Sequence, residues 1–261
     1  MPPDVHLLVA AHPDDEAIGF AISIRETPLI HVAYLTDGAP RASHAGARAR
    51  AEAARVRLEE GRRALALLGV PSERVFALGG ADQGASLEMP ALTRLVLALA
   101  ERLRATVLVA HPYEGGHPDH DAAALCTHAA AALRGRAGCL LVEFASYHAG
   151  AGQRWRRGVF LERNRAAAGR RPPVRARRLT AAERRLKRRV FSCYRSQATV
   201  LDEFPVAVER TRAAPRYRFL RAPHDGPLLY ERYAWGMSGA RWRGLAGEAL
   251  ATLGLDGGSP L

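Results

Sequence analysis

Apolar runs and helical repeats alternate along the first 150 residues of the chain. Five short apolar runs have the length and composition of buried strands. The predicted strands are Val5–Ala11, His31–Leu35, Arg74–Leu78, Thr106–Ala110 and Cys139–Ala145. Apolar residues at helical spacing lie between these runs and predict helices over residues 45–68, 90–103 and 119–133. Strands without polar alternation, separated by helices, are typical of a mostly parallel sheet covered on both faces. The pattern predicts an α/β fold.

The pattern weakens after residue 150. Gly150–Pro173 is rich in Gly and Arg and is expected to be irregular, whereas Thr180 and Glu183 match a capping box that begins a helix through Gln197. The tail contains PRYRFLRAP and PLLYERYAWGM, which predict edge strands. We therefore expect one Rossmann-like domain with a C-terminal elaboration. Its predicted parts are an α/β core over 1–147, an Arg-rich variable insertion over 148–179, and a C-terminal helix with edge elements over 180–261.

The positive charge of the chain is concentrated in one segment. The chain has 38 Lys and Arg residues against 26 Asp and Glu residues, a net charge of +12. Residues 154–189 hold 15 basic and 2 acidic side chains, whereas residues 1–153 hold 14 and 17. This distribution argues against a uniformly basic nucleic-acid coat protein and leaves one patch for an anionic partner. All basic residues except Lys187 are arginine, which is typical of GC-rich codon usage and carries little functional weight.

Composition narrows the cellular setting and the cofactors. The three cysteines form no CxxC pair, which argues against a disulfide framework and a thiolate zinc site. The first residues lack the basic and apolar regions of a signal peptide, and no stretch of 18 apolar residues predicts a membrane span. No Gly-rich phosphate loop suggests a nucleotide cofactor. We expect a cytoplasmic protein.

Two clusters of metal-ligating residue types follow predicted strands. His12-Pro13-Asp14-Asp15-Glu16 follows the first strand, and His117-Pro118-Asp119-His120 follows the fourth. The carboxyl ends of parallel strands lie at the same edge of a sheet, so the clusters are expected to converge. His12 and Asp15 are three residues apart and can point at one metal ion. Asp14 would then stay free to act as a general base beside a metal-bound water.

The second cluster can complete such a site. Either His117 or His120 can supply a third ligand and leave one coordination position open, while the other protonates a leaving group or stabilises an oxyanion. Asp119 can accept a hydrogen bond from a histidine and fix its tautomer. Acidic residues such as Glu16 are also common at helix N-termini, where they interact favourably with the helix dipole. Two clusters after two strands favour a metal site over two unrelated helix starts.

The two motifs, AHPDDE at 11–16 and HPDH at 117–120, resemble those of the PIG-L/LmbE-like family of zinc-dependent N-deacetylases. The resemblance extends to Thr36-Asp37-Gly38, to the helix carrying Arg57, to Leu78–Asp82, and to the segment from Lys187 to Gln197. It covers residues 4–147 well and residues 180–200 loosely.

The resemblance implies the fold predicted above and a role for each matching residue. The implied roles are metal ligation by His12, Asp15 and His120, general base catalysis by Asp14, acid catalysis or oxyanion stabilisation by His117, orientation of neighbours by Asp119, and binding of sugar hydroxyls by Arg57 and Asp82. The implied metal is Zn²⁺, with Fe²⁺ left open. His111 and Glu114 add titratable groups nearby. For His111 a structural role at the strand end competes with a substrate role.

The expected function is a hydrolase that deacetylates an N-acetylated amino sugar, either a GlcNAc-type glycoconjugate or a natural-product sugar, by metal-activated water. One alternative is an amidase that acts on a sugar-linked amide other than acetyl, such as a thiol S-conjugate. A remote alternative is a module that binds nucleic acid or an anionic surface through residues 154–189. That segment lacks a helix-turn-helix or zinc-finger signature, so no nucleic-acid partner is expected.

The expected partner is a small sugar substrate. Residues 154–189 would favour an anionic one if they form a rim or lid over the site, and the competing interpretation is a solvated Arg-rich loop. The sequence does not determine the identity of the sugar. It does not determine the oligomeric state either, and a homo-oligomer is compatible with it.

Overall fold

The computed structural model describes residues 3–40, 46–135, 139–150, 152 and 154–261. Its strands are β1 (His6–Ala10), β2 (Ile30–Thr36), β3 (Val75–Gly80), β4 (Val107–Ala110), β5 (Leu140–Phe144), β6 (Tyr147–His148), β7 (Arg156–Arg157), β8 (Ala167–Ala168), β9 (Arg175–Arg178), β10 (Val208–Ala213) and β11 (Arg216–Tyr217). Its α-helices are α1 (Asp15–Gly19), α2 (Ala21–Arg25), α3 (Ala47–Leu67), α4 (Met89–Arg102), α5 (Pro118–Leu133), α6 (Ala181–Phe191), α7 (Ala198–Leu201) and α8 (Gly239–Thr252).

The central sheet has seven strands in the order β3-β2-β1-β4-β5-β10-β9. The first five strands of the chain pair in parallel, while β10 runs antiparallel to both β5 and β9. The short pairs β6–β7 and β8–β11 lie outside this sheet. The predicted α/β class, with a mostly parallel sheet and a C-terminal elaboration, is confirmed.

Each face of the sheet has its own apolar core. Leu7 and Val9 of β1 pack in one cluster with residues of α4, α5 and α8. Leu8 and Ala10 pack in the other cluster with residues of α1, α2, α3 and α6. Successive side chains of a strand point to opposite faces, so an unbroken apolar run such as β1 serves both cores. The predicted placement of helices on both faces is therefore confirmed.

The C-terminal part differs from the prediction in three places. The capping box of Thr180 and Glu183 is present, but α6 ends at Phe191, because Tyr194 turns inward and is fully buried. The stretch PLLYERYAWGM contains a 3₁₀ turn at Leu229–Arg232 instead of a strand. The strands that extend the sheet are β9 and β10, whose arginines obscure the apolar alternation of a strand.

Ala45, at the start of the predicted helix 45–68, lies outside the described residues, as do residues 151 and 153 of the Arg-rich insertion. Within the described ranges, no helix is both long and apolar enough to cross a bilayer.

Lys187 is buried where the C-terminal part meets α1 and α2. Its Nζ donates to the Ile18 carbonyl at 2.7 Å and lies 3.1 Å from Oε1 of Glu209. The Glu209 carboxylate also accepts from the backbone N–H groups of Ile22 and Ser23, at 3.0 and 3.2 Å. One buried ion pair thus ties α6 and β10 to the last turn of α1 and the first turn of α2.

Removing the ammonium group of Lys187 is expected to destabilise the protein. Lys187→Met leaves the Glu209 carboxylate buried without its counter-charge, and one-sided removal of a buried partner costs about 3 kcal/mol or more. Denaturant unfolding monitored by circular dichroism measures this loss. Arg189→Met on the exposed face of α6 is the matched control. Equal unfolding free energies for the two variants would contradict a stabilising role for the pair.

A second buried charge cluster lies around Arg212. Its Nε lies 2.8 Å from Oε2 of Glu143, and its Nη2 lies 3.6 Å from Oε1 of Glu114. Burial raises the pKa of each of these two glutamates to about 7, although Arg212 opposes the rise. Glu114 also accepts from the Leu161 N–H at 2.7 Å. Because the two buried carboxyl groups share one guanidinium, a proton on one of them is favoured over a second negative charge.

This cluster is expected to make stability fall as pH rises. The folded-state pKa of Glu143 lies above its usual value of 4.5, so the folded protein holds a proton that the unfolded chain releases first. The stabilising contribution is complete at low pH and is lost as pH rises from the unfolded pKa through the folded pKa. In Glu143→Gln the unfolding free energy should decline less than in wild type between about pH 5 and about pH 8. Glu248→Gln, on the exposed face of α8, should retain the wild-type decline. Parallel pH profiles for wild type and Glu143→Gln would refute this assignment.

Candidate active site

The two predicted clusters lie side by side at one edge of the sheet. The first follows β1 and the second follows β4, and these strands are neighbours that pair in parallel. From β1 the chain continues to β2 on one side, while β4 and β5 lie on the other, so the strand order reverses between β1 and β4. In open α/β sheets ligands bind in the crevice at such a reversal. The topology therefore supplies the adjacency that the sequence could only suggest.

The carboxylate of Asp15 is the centre of the buried cluster. Its Oδ1 lies 3.0 Å from Nε2 of His120, and its Oδ2 lies 3.3 Å from Nδ1 of His12 and 3.3 Å from Nε2 of His111. The backbone N–H of His12 also donates to Oδ2 at 2.8 Å. Burial opposes the charge of Asp15, but His120 and His111 outweigh it and hold the pKa of Asp15 well below its usual value. The three predicted ligands thus meet around Asp15.

The donor atoms of the cluster form three overlapping groups. Within each group the donor atoms lie within 4.8 Å of one another. The groups are His12 with His117 and His120; His12 with Asp82, His117 and Asp119; and Asp15 with His111 and His120. In the predicted set of His12, Asp15 and His120, Asp15 contacts both histidines. His12 and His120 belong together to one donor group, and Asp15 and His120 to another. His111 and His117 also belong to these groups, so each is a candidate ligand beside the predicted set.

The chemistry of these donors suits a transition-metal ion. Burial lowers the pKa of His117 to about 3 and the pKa of His120 to about 4, so both imidazoles are neutral near pH 7. Nε2 of His120 and Oδ1 of Asp82 are buried without a hydrogen bond of acceptable geometry, even though each has a polar neighbour nearby. Unpaired imidazole nitrogen and carboxylate oxygen are ligands that Zn²⁺ and Fe²⁺ accept.

Asp14 has a strained backbone and a raised pKa. Its φ is 141°, a region that residues other than glycine rarely adopt, and its backbone N–H donates to Oε2 of Glu16 at 3.2 Å. Its Oδ2 lies 3.2 Å from Nη2 of Arg57. Burial raises the pKa of Asp14 to about 6, although Arg57 opposes the rise. A carboxylate with a pKa near neutrality is suited to general base catalysis.

Arg57 reaches the site from α3 across the turn after β2. Gly38 in this turn has φ of 65°, and a Cβ at this position would lie 2.6 Å from Nε of Arg57. The Thr36-Asp37-Gly38 motif therefore leaves room for the guanidinium. Nε and Nη1 of Arg57 are buried without hydrogen-bond partners, so they are available to a ligand.

Asp119 links His12 to the loop after β3. Its carboxylate accepts from the backbone N–H groups of Gln83 at 2.6 Å and Ala85 at 3.0 Å, and its Oδ2 lies 3.2 Å from Nε2 of His12. The backbone N–H of Asp119 donates to Nδ1 of His117 at 3.1 Å. Since Nδ1 of His117 accepts, the proton of this neutral ring lies on Nε2, where it can be donated to a substrate.

Glu16 has a larger role than the helix-dipole interaction considered from the sequence. Its buried carboxylate accepts from the hydroxyl of Tyr34 at 2.9 Å, from the hydroxyl of Tyr194, and from the backbone N–H of Asp14. Glu16 thereby connects the strained backbone of Asp14 to β2 and to the segment after α6. The partners are up to 178 residues apart, so no sequence spacing could have revealed them.

Both clusters open into a cavity of about 260 Å³. The predicted residues that line it are His12, Asp14, Asp15, Arg57, Asp82, His117 and His120. Its walls also contain the aromatic residues Tyr147, Trp155, Tyr233 and Trp235. The stretch PLLYERYAWGM, which the sequence predicted as an edge strand, supplies Tyr233 and Trp235. The contribution of Trp155 was not expected.

Tyr113, Glu114 and His111, which precede the second cluster in the sequence, are not part of the cavity lining. Glu114 faces Arg212, and Tyr113 stacks on Trp242 in the core. His111 accepts from the Ala11 N–H at 3.2 Å, which supports its structural role at the strand end.

The Arg-rich segment 154–189 contributes Trp155 to the cavity. The described residues that line this cavity include one arginine, Arg57, which belongs to α3 and not to this segment. Arg157, Arg165 and Arg177 of the segment instead pair with acidic residues elsewhere. These contacts favour the solvated-loop interpretation of the segment over an anion-binding rim.

Fold and site together define an α/β protein with a buried His/Asp centre in the crevice of a parallel sheet. Residues 7–131 match the family described as PIG-L: GlcNAc-PI de-N-acetylase, and this segment contains both clusters. Residues 7–131, just under half of the chain, thus form a PIG-L domain. No curated protein has a significantly similar sequence.

Solved structures with the same fold include deacetylases and one hydratase. A deacetylase triple mutant involved in the teicoplanin biosynthetic pathway is 16% identical, with a TM-score of 0.59 over 80% of this chain and 97% of the other. The N,N'-diacetylchitobiose deacetylase of Pyrococcus horikoshii is 18% identical, with a TM-score of 0.54 over 77% and 73%. The 4-carboxy-2-hydroxymuconate hydratase of Pseudomonas putida KT2440 is 14% identical, with a TM-score of 0.54 over 82% and 97%. At these identities the comparison establishes the fold alone.

Proposed function

We propose that this protein is a metal-dependent hydrolase that removes the acetyl group from an N-acetylated amino sugar and releases acetate. The observation that carries the proposal is the placement of Asp14, with its raised pKa and its Arg57 partner, in one cavity with the buried His/Asp centre. The acceptor is a GlcNAc-type glycoconjugate or a natural-product sugar. An amidase acting on a different sugar-linked acyl group is the alternative.

We assign His12, Asp15 and His120 as the residues that hold the metal, with Zn²⁺ as the first choice and Fe²⁺ as the second. Such an ion, when bound, supplies Lewis acidity that polarises a carbonyl and lowers the pKa of water. His117 is left out of this set because its Nδ1 is engaged by the Asp119 N–H and its Nε2 carries a proton.

The side chains of the chain account for the proton transfers. Asp14 takes the proton of the attacking water, and Arg57 fixes the orientation of its carboxylate. The Nε2–H of His117 donates to the oxygen of the acetyl carbonyl as negative charge develops there. We favour this donor role of His117 over the acid role because burial lowers its pKa to about 3. The proton held by Asp14 is then available to the departing amine. Arg57 and Asp82 hold sugar hydroxyls.

Metal analysis combined with an acetate assay tests the proposal. Purified protein should hold about one equivalent of zinc or iron, and it should release acetate from a member of a panel of free and glycosidic N-acetyl sugars. Chelation should abolish this release, and added metal should restore it. Chelator-resistant release would contradict metal dependence. Tight, salt-sensitive DNA binding that survives His120→Ala would support the binding-module alternative instead.

A further inference from the structure

A row of aromatic rings extends from His120 to the mouth of the cavity. The ring centroids of His120 and Tyr147 are 4.9 Å apart, and those of Tyr147 and Trp155 are 5.9 Å apart. The guanidinium of Arg157 lies 3.6 Å from the ring centroid of Trp155 and pairs with Glu203. The indole is therefore held in place by contacts outside the catalytic cluster.

A second row extends from His117. The ring centroids of His117 and Trp235 are 4.7 Å apart, and Trp235 stacks on Tyr233 with centroids 4.6 Å apart and planes at 16°. Tyr233 is 42% exposed at the outer end of this row. The bases of the two rows meet, because the rings of His117 and His120 are 5.2 Å apart. We call the space between the rows the aromatic cleft, with Tyr147, Trp155, Tyr233 and Trp235 as its walls.

Charged, polar and apolar side chains all line the cavity, with Gln83 and Gln197 as its uncharged polar members. The buried side chains Asp14 and Arg57 and the half-buried Asp82 lie with the His/Asp centre at its base. Ile18 and the exposed side chain of Val200 join the aromatic rings in the lining. An acetamido sugar needs hydrogen-bonding partners, which the base supplies. Aromatic and aliphatic walls instead gain free energy by covering apolar surface.

We propose that the aromatic cleft binds an aromatic ring system that the substrate carries in glycosidic linkage to its acetamido sugar. This inference rests on the proposed deacetylase function and narrows its substrate class. A planar group between ring walls stacks in offset or edge-to-face geometry, which adds to the benefit of area burial alone. Trp155 is the residue of the Arg-rich segment that lines this cleft. The segment therefore helps to bind an aromatic group of the substrate and not an anionic one.

The test compares two glycosides of N-acetylglucosamine that differ in the aglycone, 4-methylumbelliferyl and methyl. Wild type should release acetate from the aryl glycoside with kcat/KM about 10-fold higher or more, the equivalent of about 1.4 kcal/mol. In Trp155→Leu and in Trp235→Leu this ratio should fall towards one. Phe76→Leu is a matched control, because Phe76 also carries an arginine over its ring but lies on β3, outside the cavity lining. It should keep the wild-type ratio.

Three results would overturn the aromatic cleft. They are equal kcat/KM for the two glycosides in wild type, a preference that survives both tryptophan variants, and an octyl glycoside that matches the aryl one. Absence of acetate release from every glycoside would contradict the proposed function instead. Calorimetric binding of the same two glycosides then tests the cleft independently of catalysis. Equal affinities would reject the proposed aromatic binding, and a 10-fold preference for the aryl ligand would support it.

Discussion

Asp14→Asn is expected to lower kcat for acetate release by about 10³-fold while the metal content stays at the wild-type level. Asparagine has the shape of aspartate, and its amide oxygen can still accept from Arg57, but it cannot take a proton from water. Asparagine adds no bulk at a position whose backbone, with φ of 141°, is already in a region that residues other than glycine rarely adopt. Acetate release and metal analysis on the same preparation check both parts of this expectation.

The matched control is Asp225→Asn, which alters an exposed aspartate paired with Arg165. It should retain wild-type turnover. If Asp14→Asn stays within tenfold of wild type, Asp14 is not the base. If it loses the metal, Asp14 belongs among the ligands and the assignment of Asp15 must be revised.

The second large effect is expected for His120→Ala, which should lose the metal and with it the activity. His120 contacts Asp15 at 3.0 Å and supplies a neutral imidazole to two of the three donor groups. Even outer partners of metal ligands change affinity about 10- to 100-fold, so removal of a ligand should exceed that range. Metal content after dialysis measures the loss, and circular dichroism verifies that the fold is retained.

Two further histidine variants sharpen this test. His31→Ala changes a histidine of β2 that belongs to none of the donor groups and should retain the metal. His111→Gln should retain most of it, because Nε2 of His111 is engaged by the Ala11 N–H. Metal loss in His111→Gln combined with full occupancy in His120→Ala would exchange the roles of the two histidines.

The core strands and the two clusters could be predicted from the sequence because their signals are local. The runs behind β1 to β5 are continuous and apolar, and the structure places each strand within two residues of its predicted bounds. His12 and Asp15 are close in sequence, as are His117 and His120. The fold brings the two pairs together by pairing β1 with β4, which is a consequence of topology.

The parts that the sequence did not reveal depend on contacts between distant residues or lie in segments where arginines obscure the apolar pattern. The helix from Thr180 was expected to continue through Gln197, but Tyr194 leaves it to reach Glu16, which is 178 residues away in the sequence. In β9 the sequence RARR has no apolar alternation, because a strand at the sheet edge can expose its side chains to solvent. Trp155 was hidden among arginines.

The burial of Lys187 has a practical consequence for chemical labelling. Every other cationic side chain is arginine, so the chain has a single ε-amine, which is enclosed between α6, α1 and β10 and has its pKa lowered by burial. Acylating reagents that target lysine have no accessible side chain in the folded protein. Modification of Lys187 therefore requires the packing of α6 against α1 and β10 to open. The rate at which Lys187 is acylated therefore measures how often this part of the structure opens.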